Sequence, residues 1–92
     1  MSEIKKLPSL DSIKGLPSLE AIPILDAIIK EHPLYEEAIT LRGLKYWALN
    51  RPQQAIEDYL RALQINPDSK AATALQYAKQ VLDFYNPDLL NP

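Results

Sequence analysis

The chain repeats itself at a spacing of 34 residues. Shifted by that amount, Ala21 falls on Ala55, Ile22 on Ile56, Pro33 on Pro67, Ala38 on Ala72, Leu41 on Leu75 and Lys45 on Lys79. Leu25 meets Tyr59 and Ile29 meets Leu63, which keeps bulk on bulk. A fixed period of this length is the mark of supersecondary units that bury their apolar faces only by stacking on one another. Both aligned prolines follow a long helical pattern, so the unit is helical and ends at proline.

The helices follow from spacing alone. Ser18 is the expected cap of a helix in which Leu19, Ile22, Leu25, Ile28 and Ile29 recur at helical intervals up to His32-Pro33. A second helix is predicted from about Leu34 to Leu49, ended by the turn Asn50-Arg51-Pro52, with Pro52 suited to a first helical position. A third carries Ala55, Ile56, Tyr59, Leu60 and Leu63 and stops before Asn66-Pro67. Asp68 or Ser69 caps a fourth, which runs to about Tyr85 before Asn86-Pro87. No segment alternates with period two. The expected class is all-α, antiparallel helical hairpins with short turns.

From Ile39 to Pro67 the chain reads Ile39-x2-Arg42-Gly43-x2-Tyr46, then Ala55-x3-Tyr59-x2-Ala62 and Pro67. This resembles the tetratricopeptide repeat, with Ile39 in place of an aromatic and Arg42 in place of a leucine. The pattern has a physical reading: Gly43 admits a closely paired helix, Ala55 and Ala62 are the small contacts facing it, and Tyr46 and Tyr59 fill the gaps. The resemblance implies a short right-handed superhelix over a single domain. In it, 18–33 is the second helix of a partial repeat, 34–67 a full repeat and 68–86 a capping helix. Residues 1–17 are an N-terminal arm or cap, and 87–92 a tail.

The arm holds a local duplication, Leu7-Pro8-Ser9-Leu10-Asp11-Ser12-Ile13 returning as Leu16-Pro17-Ser18-Leu19-Glu20-Ala21-Ile22. Pro8 and Gly15-Leu16-Pro17 forbid one continuous helix there, so a single turn at about 9–14 is expected. At the other end Thr73, Tyr77, Gln80 and Phe84 lie where a following helix would pack. The tail Leu89 and Leu90 are expected to fold back over Tyr77 and Phe84.

Composition narrows the function. Twelve acidic against ten basic residues leave a formal charge of −2, the reverse of a nucleic-acid binder. The apolar run Ile22–Ile29 is broken by Pro23 and Asp26, and the start lacks the apolar core of a signal peptide, so no membrane association and a cytoplasmic location are expected. There is no cysteine, and one histidine builds no multi-histidine metal site. His32 sits at a helix C-terminus as a cap, and Glu36-Glu37 and Glu57-Asp58 are adjacent pairs read as solvated charges. No nucleophile–base pair is present, and no cofactor or catalysis is expected.

One helix points to binding. Ile39, Arg42, Gly43, Tyr46 and Leu49 face its hairpin partner, and Ala38, Leu41 and Ala48 face neighbouring hairpins, which leaves Glu36, Thr40, Leu44 and Trp47 on a third stripe. The resemblance places that stripe on a concave groove, opposite Ala71, Ala74, Ala78 and Val81. The expected site is thus a shallow apolar trough of Thr40, Leu44, Trp47, Ala71, Ala74, Ala78 and Val81, taking a peptide, a helix or a protein surface. Occupation of the trough by the arm itself, through Leu7, Leu10 and Ile13, is the competing reading. A Lys/Asn/Arg clamp for an acidic chaperone tail, known in the family, is not expected, because the groove positions read Thr40, Leu44, Ala71 and Leu75. The alternatives to an interaction module are a self-assembling homodimer and an engineered binder on such a scaffold.

Overall fold

A computed structural model describes residues 6–85, which hold five helices and no strand. They are α1 (Asp11–Lys14), α2 (Ser18–Glu31), α3 (Glu36–Ala48), α4 (Pro52–Ile65) and α5 (Ala71–Tyr85). The period seen in the sequence reappears in the backbone, since α2 and α4 are both 14 residues long and begin and end 34 positions apart. Helix α3 packs against both α2 and α4, α4 packs against α5, and α1 leans on α2.

The ends of the helices follow from local chemistry. Pro52 opens α4, where its missing N–H costs nothing. The Ser69 hydroxyl accepts a hydrogen bond from the Ala71 N–H at 3.0 Å, so Ser69, rather than Asp68, caps α5. Ser18 is the first residue of α2 and makes no side-chain cap; Pro17 holds the cap position. Pro23 lies inside α2, one turn past its start, and costs a single backbone bond. After α3, Asn50 adopts φ 61°, Arg51 N–H donates to the Tyr46 carbonyl and Asn50 N–H to that of Trp47. This is a Schellman closure with asparagine in the left-handed position that glycine usually takes.

Two core clusters follow the two hairpin levels. One gathers Leu10, Ile13, Ala21, Leu25, Tyr35, Ala38 and Leu41. The other gathers Ile39, Ala55, Tyr59, Ala62, Ala71, Leu75 and Ala78, and Ile29 touches both. Leu25 and Tyr59, equivalent in the 34-residue shift, are each almost wholly buried at the centre of their own cluster. Gly43 sits where the helices come closest: a Cβ there would lie 2.7 Å from Tyr59 Cε1 and 3.1 Å from Asp58 Cβ.

Arg42 ties three helices together. Its Nε and Nη2 donate to the two oxygens of Asp58 on α4 at 2.9 and 2.8 Å, and Nη1 donates to Asp26 on α2 at 2.9 Å. Asp58 is buried, which corrects its reading as a solvated charge; its partner is the arginine that stands where the repeat pattern has leucine.

The arm caps the first level. Leu10 and Ile13 enter the core, while the Tyr35 hydroxyl donates to the Pro8 carbonyl at 2.7 Å. Lys45 Nζ donates to the carbonyls of Lys14 and Leu16 at 2.9 and 2.7 Å, satisfying acceptors at the end of α1. The expected fold-back of Leu89 and Leu90 lies outside the described residues. Tyr77 and Phe84 are exposed.

Candidate functional site

Helices α1, α3 and α5 form one layer and enclose a groove of about 1120 Å³, with α2 and α4 on the far side. Ser9, Leu10, Asp11 and Lys14 make one wall, α3 the floor, and the 66–70 loop with Thr73, Ala74 and Tyr77 the other wall. The described part of the arm therefore bounds the groove instead of filling it. Leu10 and Ile13 point into the core, and Leu7 is exposed.

The groove has two ends of different character. Toward the N-termini of α3 and α5 lies a polar cluster. The hydroxyls of Thr40 and Ser69 both donate to Glu36 Oε2, the first at 3.0 Å, and Asn66 Nδ2 donates to Oε1 at 3.3 Å. With each hydroxyl proton directed at the carboxylate, Ser69 is left with a lone pair for the Ala71 N–H, so one carboxylate organises both the groove floor and the cap of α5. Burial pushes the Glu36 pKa up, but the hydrogen bonds from Ser69, Asn66 and Thr40, together with the charge of Lys70, outweigh it and hold it below the ordinary value. Further along, Leu44 (45 % exposed), Ala74 and Tyr77 (59 % exposed) make an apolar end. The Trp47 ring meets Tyr77 edge-on at a centroid distance of 6.2 Å.

The expected trough is thus only partly assembled. Leu44 and Ala74 line the groove as expected. Thr40 lines it too, but is buried and turned toward Glu36. Trp47 is half-buried and packs on the second core cluster. Ala71 and Ala78 belong to that cluster, at 0 % and 1 % exposure, and do not form a wall. Val81 is half-buried and lies off the groove. The physical reason is register: α5 turns its alanine stripe against α4, where small side chains permit close approach, and presents Thr73, Ala74 and Tyr77 instead. Tyr77 was assigned from sequence to the outer, unpartnered side of α5. Glu36 falls on the same stripe as Thr40, four residues before it, but its reading as a solvated charge is corrected by its half-burial and its three donors, and nothing local marks Asn66, Ser69 or the arm as groove walls.

A stack of antiparallel hairpins repeating every 34 residues defines a helical-repeat protein. Residues 37–69 match the family model described as the tetratricopeptide repeat. The chain therefore carries one unit matched directly to the tetratricopeptide repeat, within a helical stack of the same period. That family is in general a non-catalytic fold for protein–protein interaction. No curated protein and no solved structure matches the chain. Among the described residues, no helix is long and apolar enough to cross a membrane.

Proposed function

We propose that this chain is an interaction module that receives a peptide or helical segment of another protein in the groove between α1, α3 and α5. The observation that carries this reading is the apolar end of the groove, where Leu44 and Tyr77 stand exposed on facing helices with Trp47 behind them. Large apolar and aromatic side chains left uncovered in a concavity are the usual anchors of a binding surface, since burying them contributes most of the association energy. A binding role rather than a catalytic one is supported by Glu36, the carboxylate on the groove floor, which is occupied by three intramolecular donors.

The test is a peptide library selected against the parent protein, followed by re-measurement of the recovered peptides on Leu44→Glu and Tyr77→Ala variants. Peptides that bind the parent and lose at least tenfold in affinity on both variants support the groove. Binding that ignores both substitutions defeats it. Sedimentation across concentration reads the self-assembling alternative directly, because a homodimer pairing groove to groove dissociates on Leu44→Glu.

A further inference from the structure

Taking the groove as the binding site, we infer that it selects a cationic apolar segment, one that sets a lysine or arginine about two helical turns from an apolar side chain. Four carboxylates line the groove, those of Asp11, Glu36, Glu37 and Asp68, against the ammonium groups of Lys14 and Lys70. The groove thus holds a net charge of −2, equal to the formal charge of the entire chain.

Not all of this charge faces a ligand equally. Glu36 is engaged by Thr40, Ser69 and Asn66, and Lys70 lies near enough to lower its proton affinity. Lys14 sits 3.7 Å from Asp11 on the arm wall. Glu37 and Asp68 remain exposed at the polar end. Along α3 the distance from Glu37 to Leu44 is seven residues, roughly 10 Å at ~1.5 Å per residue. A helical ligand meets both ends with side chains seven positions apart, and an extended one with a separation of about three residues at ~3.3 Å each. An acidic segment places its charge against Glu37 and Asp68 and is refused. Charge complementarity of this kind acts on specificity and on association rate more than on raw affinity.

The probes are two synthetic 14-residue amphipathic peptides, one of leucine and lysine and one with glutamate in place of every lysine, titrated at 50 mM salt. The emission of Trp47, the single tryptophan of the chain, is the readout. The lysine peptide is expected to bind at least tenfold more tightly than the glutamate peptide, with the preference shrinking as salt rises. Glu37→Lys with Asp68→Lys should abolish or reverse the preference. The same change of charge on the outer layer, Glu20→Lys with Glu57→Lys, should leave most of it. Equal loss from the two double variants would show general attraction to an acidic protein and overturn the inference. Equal binding of both peptides, abolished by the neutral Leu44→Gln, would overturn the charge selection while leaving the groove as the site. If the lysine peptide binds unaffected by Leu44→Gln, or neither peptide binds, the groove reading falls and the inference with it.

Discussion

Gly43 shows how one missing side chain permits a helix pair to close. With Tyr59 Cε1 at 2.7 Å from the position a Cβ would take, any substitution must move an aromatic ring that is itself buried. On an open helix face Gly→Ala stabilises by up to about 1 kcal/mol. Here Gly43→Ala should instead destabilise by about 1–3 kcal/mol through overpacking, read as a lower denaturant midpoint. Glu36 gives a residue-scale prediction in pH. Its proton affinity in the folded chain lies below the ordinary 4.5, so the unfolded chain binds that proton more readily. Its contribution is present in full above the ordinary value and is lost as pH falls through the lower folded one. Glu36→Gln should flatten the acid limb of a stability–pH curve below about pH 4.5, where the parent loses stability, and should loosen the cap of α5.

At the scale of elements, the joints matter more than the helices. Asn50 closes α3 in a left-handed conformation that costs an alanine roughly 1–2 kcal/mol, so Asn50→Ala should lower stability by about 1 kcal/mol and Asn50→Gly should not. The short α1 is held by the Lys45 ammonium on the carbonyls of Lys14, its last residue, and Leu16 just beyond it, by Tyr35 on Pro8 and by the burial of Leu10 and Ile13. Lys45→Met keeps the stem and removes the donors. Amide exchange in residues 11–16 should then quicken while α3 and α4 stay protected, and uniform acceleration would show that the clasp is unimportant. The helices themselves were legible because proline, asparagine and period-3.6 spacing mark them directly. The joints were not. Ser69 was legible as a cap beside Asp68, but its tie to Glu36, Asp58 as a buried partner of Arg42 and the arm as a groove wall depend on residues 16 to 33 positions away, which no local pattern encodes.

At the scale of the molecule, the 34-residue period made the hairpin stack readable, because it reports which faces must be covered by a neighbour. The groove was readable only in part. The stripe containing Thr40 and Leu44 was identified from α3, but the opposite wall was assigned to the alanines of α5. Of those, Ala74 does line the groove, but Ala71 and Ala78 serve the core, and the rotation that puts them there brings Tyr77 inward. Trp47 sits between the two roles, half-buried and touching both core and groove. Trp47→Ala should therefore cost about 1–3 kcal/mol of stability, short of the ~3–5 kcal/mol of a fully buried aromatic, and weaken any groove-bound peptide as well. A mutant that melts like the parent would remove Trp47 from the core.

The three-way fork of Arg42 changes how such a stack comes apart. In a linear array, stability is close to a sum of unit and neighbour terms, and ends can melt while the middle holds. An arginine that binds α2 and α4 from α3 makes two of those neighbour terms depend on one side chain. Losing the contact on either side frees the guanidinium and weakens the other, so Asp26→Ala and Asp58→Ala should be non-additive when combined. Helices α2, α3 and α4 then behave as one cooperative block, with the fraying confined to α1 and α5, the two helices that also wall the groove. The groove proposed to receive a partner is thereby walled by the parts of the molecule that a bound segment can most readily steady.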